Sequence, residues 1–241
     1  MNSSFSPFRE KMQAAGSSQA AIAAFERAFQ ILASKESGVI EEASIAPVEQ
    51  LPTYEEISSG PADAGLLAKA VMLKLNGGLG TGMGLEKAKS LLVVRNGESF
   101  LDLIARQVLT ARKQTGANLR FLLMNSFSTS EDTRSHLARY PELGDPADLE
   151  LLQNKVPKIA KDTLLPVEWP AEPDLEWCPP GHGDLYPAIL GSGTLDRLLK
   201  EGYLYLFVSN SDNLGATMDP ALLNWFAGSG MPFLMEVTTR T

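Results

Sequence analysis

The sequence predicts an α/β fold, a mostly parallel sheet flanked by helices. Two observations carry this. Short apolar runs suited to strands, at residues 66–75, 119–124, 203–209 and 232–237, alternate with longer stretches of helical periodicity. Two polar, turn-forming segments, 76–84 and 210–213, follow directly on two of those runs, where parallel sheets place their ligands. The composition, 44% hydrophobic and 21% charged, is that of a chain able to bury a core.

In chain order, Ser17 or Ser18 can cap a helix running to about Ala33, with Ile22, Phe25, Phe29 and Leu32 as its buried stripe. Residues 37–65 are rich in Glu, Pro and Ser, and Pro47, Pro52 and Pro61 break any periodicity, so an extended surface connector is expected. This divides the chain into an N-terminal helix and connector (1–65) and a core (66–241). The strand of 66–75 runs into the glycine-rich turn of 76–84. After the apolar run 90–94, Asn96-Gly97 signals a tight turn, and Ser99 to Asp102 resembles a capping box opening a helix to about Lys113. A strand (119–124), a capped helix (130–140) and a Pro-rich irregular segment (157–180) follow. A helix (185–200), a strand (203–209), a helix (220–227) and a final strand (232–237) complete the pattern. The ending, Met235 to Thr241, reads as a strand entering its next loop, as expected of a truncated polypeptide.

Bulk properties exclude several functions. A net charge of −8 argues against a nucleic-acid groove or an anionic membrane surface, although a local cradle and a metal can still hold a triphosphate. One cysteine, Cys178, forbids an internal disulfide and suits a reducing compartment; with only His136 and His182 beside it, a Cys/His zinc site is nearly excluded. No apolar run is long enough to span a bilayer, and residues 1–11 lack a signal-peptide core, so a cytoplasmic protein is expected.

The glycine turn, Leu75-Asn76-Gly77-Gly78-Leu79-Gly80-Thr81-Gly82-Met83-Gly84, holds five glycines in ten residues, a backbone that can converge on an anion. It supplies neither the Gly-Lys-Ser/Thr of a P-loop nor the third glycine of a dinucleotide fingerprint. Lys87 and Lys89 stand just beyond it; either can reach a triphosphate or remain a solvated surface lysine.

From Leu75 through Ser90 the sequence closely resembles the signature loop of the UDP-glucose pyrophosphorylase family. Four further segments match in order: Met124-Asn-Ser-Phe-Ser-Thr, Gln153-Asn-Lys-Val-Pro-Lys, Pro179-Pro-Gly-His-Gly-Asp-Leu-Tyr and Phe207-Val-Ser-Asn-Ser-Asp-Asn-Leu-Gly-Ala. Asn76 and Met83 fit this branch better than the N-acetylhexosamine branch. The resemblance implies a GT-A-like, Rossmann-related core, cut part-way through its sheet and lacking a C-terminal β-helix domain. It also implies a Mg²⁺-dependent transferase that makes UDP-glucose and pyrophosphate from UTP and glucose 1-phosphate. Two alternatives stay open: a broader UDP-sugar or UDP-N-acetylhexosamine pyrophosphorylase, and a non-catalytic UTP-binding fragment. The sequence also leaves open a homo-oligomer.

Roles for single residues follow from the same resemblance. The backbone of Leu75, Asn76, Gly77 and Gly78 lies against the nucleotide, and residues from Gly80 and Thr81 to Gly84 wrap the phosphates. Lys89 binds the α-phosphate region and Asp212 holds Mg²⁺; these two are the catalytic pair. Gln153 reads uracil, its amide complementing O4 and N3–H, and Gly181 and Gly183 let backbone approach the base. His182, Asn210 and Ser211 face the sugar phosphate, together with Gly77, Gly78 and Asp212. Lys87 is expected at the surface, His136 and the three tryptophans in packing roles, and residues 124–127 in shaping the strand end. Since the attacking phosphate oxygen is already anionic, no Ser-His-Asp or Cys-His arrangement is required, and positioning and electrostatics carry the rate.

Overall fold

The computed structural model of the chain describes residues 4–36, 38–60, 63–78 and 87–238. Helices α1 (Ser6–Ala14) and α2 (Gln19–Ser34) come first. Of the two candidate caps Ser18 is the one used, accepting from the Ala21 amide at 3.1 Å. Sequence alone gives no helix over residues 6–14. It forms because Phe8 and Met12, one turn apart, bury in an aromatic cluster with Phe5, Ile22 and Phe29. The connector is largely extended and exposed but contains helix α3 (Tyr54–Ser58). Thr53 and Glu56 cap it reciprocally, and the Tyr54 hydroxyl donates to Asp219 at 2.6 Å.

Strand β1 (Ala70–Asn76) is followed, beyond the glycine loop, by the hairpin of β2 (Val93–Arg95) and β3 (Glu98–Ser99). Its turn residues Asn96 and Gly97 both have positive φ, 52° and 79°, as the Asn-Gly signal requires. Helix α4 (Phe100–Thr115) opens on the Ser99/Asp102 capping box and closes on Gly116 in the left-handed region. Then come β4 (Arg120–Asn125), α5 (Ser130–Leu137), β5 (Glu150–Leu152) and a small ribbon of β6 (Val156–Pro157) and β7 (Trp177–Cys178). Helices α6 (Leu185–Gly191) and α7 (Thr194–Lys200), strand β8 (Tyr205–Asn210) and helix α8 (Pro220–Ser229) follow.

The central sheet is parallel throughout, in the order β5-β4-β1-β8. Its two faces are covered separately, as alternation along β1 dictates: Ala70 and Met72 pack with Leu101, Ile104 and Val108 of α4, while Val71 and Leu73 pack with Leu185, Ile189 and Leu198 of α6 and α7. Each fully buried Leu or Phe in these layers contributes about 1.5–3 kcal/mol. The N-terminal helices sit on the β6–β7 ribbon through Val156 and Trp177, and on α6. Among the described residues no helix is long and apolar enough to cross a membrane.

Two expected elements differ. The single helix over 185–200 is two, because the chain turns at Ser192-Gly193, with Gly193 at φ 73°. Residues 232–237 form no strand: they pair with no strand among the described residues, the outer edge of β8 stays unpaired, and Phe233, Met235 and Val237 are exposed.

Candidate active site

The chain order of the strands locates the site. From β1 the chain moves outward to β4 and β5, then returns to add β8 on the opposite side of β1. The carboxyl ends of β1 and β8 therefore flank a topological switch point, a crevice into which two loops diverge. The glycine loop leaves the end of β1, and the Asn210–Asp212 turn leaves the end of β8.

Both turns are tied to the sheet. The Ser211 amide donates to Leu75 O at 3.1 Å, extending the β1–β8 ladder by one bond. The Lys89 amide donates to Gly78 O at 3.2 Å, which fastens the returning end of the glycine loop to its start. Gly80 and Thr81, expected to wrap the phosphates, lie outside the described residues. Across the crevice the Lys89 Nζ meets Asp212 Oδ2 at 2.6 Å, both side chains part-exposed. The Lys89 hydrogen bond, helped by the Lys89 charge, lowers the Asp212 carboxyl from its usual range against the opposition of burial. Lys87 is exposed, as expected.

A second pair of loops forms one wall. Gln153 is almost wholly buried; its Nε2 donates to Gly181 O at 2.7 Å, and its backbone amide to Asn125 O at 2.7 Å. Its Oε1 lies so close to Gly77 that a Cβ built there would stand 2.6 Å away. Gln153, Gly77 and Gly181 thus converge, and glycine is needed at 77 for this approach and at 181 for φ 99°. Next to them Asp184 accepts from the Asn154 amide at 2.7 Å and from Asn154 Nδ2 at 3.0 Å, locking the two loops together. Burial pushes the Asp184 carboxyl up, and the Asn154 donors offset part of that rise. His182 sits exposed at the rim of this wall.

The floor is a buried polar network. Asn76 Nδ2 donates to Asn125 Oδ1 at 2.7 Å and Thr133 Oγ1 at 3.0 Å, while Thr129 Oγ1 donates to Asn76 O at 3.0 Å. Both Asn76 amide protons are therefore engaged, as is its backbone carbonyl. Asn125, the last residue of β4, also donates to Glu150 Oε1 of β5 at 2.6 Å, which ties these two strands together at the site. Of the β8 turn, Asn210 is exposed, whereas Ser211 is buried and meets the sheet through its backbone. His136 is structural: its Nε2 lies 2.9 Å from Asp102 Oδ1 beneath α4. Trp177 packs in the aromatic cluster, Trp225 is only part-covered and Trp169 is exposed.

Comparison with known sequences decides the family. The pattern of the UTP--glucose-1-phosphate uridylyltransferase family matches residues 22–241. The chain belongs to this family. It is 44% identical over 195 residues to a probable UTP--glucose-1-phosphate uridylyltransferase of Schizosaccharomyces pombe, a match covering 80% of this chain and 38% of the relative. The Saccharomyces cerevisiae enzyme is 43% identical over 194 residues, with 80% and 39% covered. Among solved structures, a UDP-glucose phosphorylase from Trypanosoma brucei superposes with a TM-score of 0.90 at 49% identity, covering 98% of this chain and 51% of that one. A mutant UDP-glucose pyrophosphorylase from Leishmania major in complex with UDP-glucose gives 0.94 at 45% identity, covering 100% and 50%. The chain thus spans about two fifths of the length of these curated relatives and half of the solved chains.

Sequence reasoning missed three contributors. Asn154 and Asp184 stood inside matched segments, but their mutual contact spans 30 residues and no spacing rule links them. Lys74 was visible as the one charge in an apolar strand, a pattern that signals a buried amine.

Proposed function

We propose that this chain carries the nucleotide site of an enzyme that joins UTP to glucose 1-phosphate, giving UDP-glucose and pyrophosphate. The observation that carries the reading is the Lys89–Asp212 pair at the switch point, with Gly77, Gln153 and Gly181 converging beside it. The reaction is an in-line displacement in which a phosphate oxygen of the sugar attacks the α-phosphorus and pyrophosphate leaves. No proton need be removed from the nucleophile, so the residues act by position and charge.

Gln153 and the Gly181 turn bind the base edge. One amide proton of Gln153 goes to Gly181 O, which leaves its second proton and Oε1 to meet the O4 and N3–H edge of uracil. The Leu75–Gly78 backbone lies along the nucleotide. Lys89 moves from Asp212 to the α-phosphate region, where its charge meets the negative charge that builds up in the transition state. His182, Asn210 and Ser211, the last through its hydroxyl because its amide is bonded to Leu75 O, face the sugar phosphate. Asp212, freed of its lysine, fits a Mg²⁺ site of the usual kind, one carboxylate with phosphate oxygens and water completing the shell. A bound Mg²⁺ would neutralise phosphate charge. The lone cysteine suits a cytoplasmic setting.

A second reading, UTP binding without turnover by this stretch alone, is favoured by one observation. The chain spans about two fifths of the length of the curated relatives it matches. Calorimetric titration with Mg·UTP and Mg·ATP, with Lys89→Ala alongside, tests the common core of both. UTP should bind and ATP should not, and Lys89→Ala should weaken UTP by about ten- to a hundredfold, the loss of one charge-assisted contact. No UTP binding by the folded chain, or equal binding of ATP, refutes the site. Pyrophosphate release in the presence of glucose 1-phosphate then separates turnover from binding alone.

A further inference from the structure

A parallel strand covered on both faces ordinarily reads as an unbroken apolar run. β1 is such a strand, and Lys74 interrupts it while being wholly buried. Its Nζ donates to Ala216 O at 2.7 Å and to Asn213 O at 3.4 Å, and lies 5.9 Å from the centre of the Phe207 ring. No carboxylate among the described residues pairs with it. Burial alone lowers its pKa to about 8, which still leaves the ammonium charged at neutral pH. Ser209, level with Lys74 on β8, has a buried hydroxyl without a hydrogen-bond partner among the described residues.

A buried ammonium held only by carbonyls is an expensive way to fill space, since an apolar side chain of the same length would pack there without desolvating a charge. What the charge does is gather two carbonyls of one loop. That loop, 213–216, begins at the residue after Asp212. Among the described residues its other restraints are four hydrogen bonds and one apolar anchor: the Asn213 amide donates to Asn210 O at 3.2 Å, Asn213 Oδ1 accepts from the Ala216 amide at 3.2 Å, the Thr217 amide donates to Gly215 O at 3.0 Å, Gln107 Nε2 donates to Leu214 O at 3.0 Å, and the Leu214 side chain packs on the core. Lys74 reaches the same loop from inside the sheet, two residues before the strand end from which the glycine loop departs.

We propose that Lys74 is a positioning residue. By drawing Asn213 O and Ala216 O down onto β1, it fixes the Asn210–Asp212 turn so that the Asp212 carboxylate faces Lys89 and the phosphates of the nucleotide. The inference rests on the nucleotide-site reading above. It predicts a separation between stability and metal response that a purely structural lysine would not give. Lys74→Met keeps the volume and removes the donors.

The test is UTP binding by the 241-residue chain, measured calorimetrically with excess Mg²⁺ and again with EDTA, for the wild type, Lys74→Met and the control Ser209→Ala, each with a thermal melt. The wild type and Ser209→Ala should bind UTP more tightly with Mg²⁺ than without. In Lys74→Met the metal-free affinity should stay within about twofold, while the gain from Mg²⁺ falls by about ten- to a hundredfold, the scale set by an ångström of misplacement. The melting temperature should stay level or rise. A wild-type-sized Mg²⁺ gain in a folded Lys74→Met overturns the proposal, as does an equal loss with and without Mg²⁺. If Lys74→Met does not fold, Asn213→Ala loosens the same loop with the lysine intact. A partial loss of the gain supports the proposal and an unchanged gain overturns it. Failure of the wild type to bind UTP at all would instead remove the nucleotide-site reading, and this inference with it.

Discussion

Gly77→Ala tests the convergence of Gly77, Gln153 and Gly181 by the smallest available perturbation. The added Cβ would stand 2.6 Å from Gln153 Oε1 and 3.6 Å from both Gln153 Cδ and Ser126 Cβ. Ordinary contact needs about 3.5 Å, so the amide must retreat by close to an ångström. Gln153 is 5% exposed and cannot swing into solvent. It can retreat only by giving up the 2.7 Å bond to Gly181 O. An unpaired buried amide costs about 1–3 kcal/mol. The change from glycine also stiffens the unfolded chain, which stabilises by about 0.4–1 kcal/mol, so the net loss of stability should be about 1–2 kcal/mol. UTP affinity should fall by about ten- to a hundredfold, since the same side chain is the proposed reader of the base. Calorimetry with Mg·UTP on the wild type, Gly77→Ala, Gln153→Ala and the double variant gives a full cycle. Once Gln153 is truncated, Gly77→Ala should have little further effect, because the atom it collides with is gone. Additive losses across the cycle, or a Gly77→Ala variant that binds as tightly as the wild type, would refute the reasoning.

Two further outcomes follow from packing and charge. At Gly191 an added Cβ would fall 2.2 Å from Ser18 Oγ and 2.7 Å from Ser18 Cβ, where α6 meets the start of α2. Gly191→Ala should therefore cost about 2–3 kcal/mol and lower the melting temperature by about 4–12 °C, and an unchanged melt would show that the two helices do not press together. Asp102 accepts from the Tyr140 hydroxyl at 2.6 Å, Ser99 Oγ at 2.7 Å and Arg139 Nη2 at 2.6 Å; burial opposes its charge, but the Tyr140 and Ser99 hydroxyls, the Ser99 amide and His136 hold its pKa far below the usual range. Because the folded pKa is depressed, the stabilisation is full above the unfolded value near 4 and is lost as pH falls below it. Asp102→Asn should cost about 3 kcal/mol at pH 7, and denaturant titrations should find that difference shrinking toward pH 3; a constant difference would remove the charge from the explanation.

Much of this molecule is readable in one dimension because the signals are local. The Ser99/Asp102 box, the Asn96-Gly97 turn and the Ser18 cap each depend on residues within four positions of one another, and each occurs where the sequence places it. Elements that fail the reading depend on distant partners. Residues 232–237 have the composition of a strand but are paired with no strand among the described residues, and strand propensity without pairing forms nothing. The helix over 6–14 has the opposite history. Its own pattern is weak, and it becomes worth forming once Phe8 and Met12 find the cluster with Phe29.

The site divides the same way. The sequence by itself determined the residue types that can cradle phosphate, the family, and the strand ends at which Lys89 and Asp212 would appear, because glycine density and strand–loop alternation are properties of neighbouring residues. Only the tertiary structure decided that Lys89 and Asp212, 123 residues apart, meet at 2.6 Å, that Gln153 closes on Gly77, and that Lys74 lies under the loop after Asp212. Those contacts arise from strand order. β8 joins β1 on the side opposite β4, and no feature of either strand's own sequence specifies which edge it takes; that is settled by which faces the helices between them can bury.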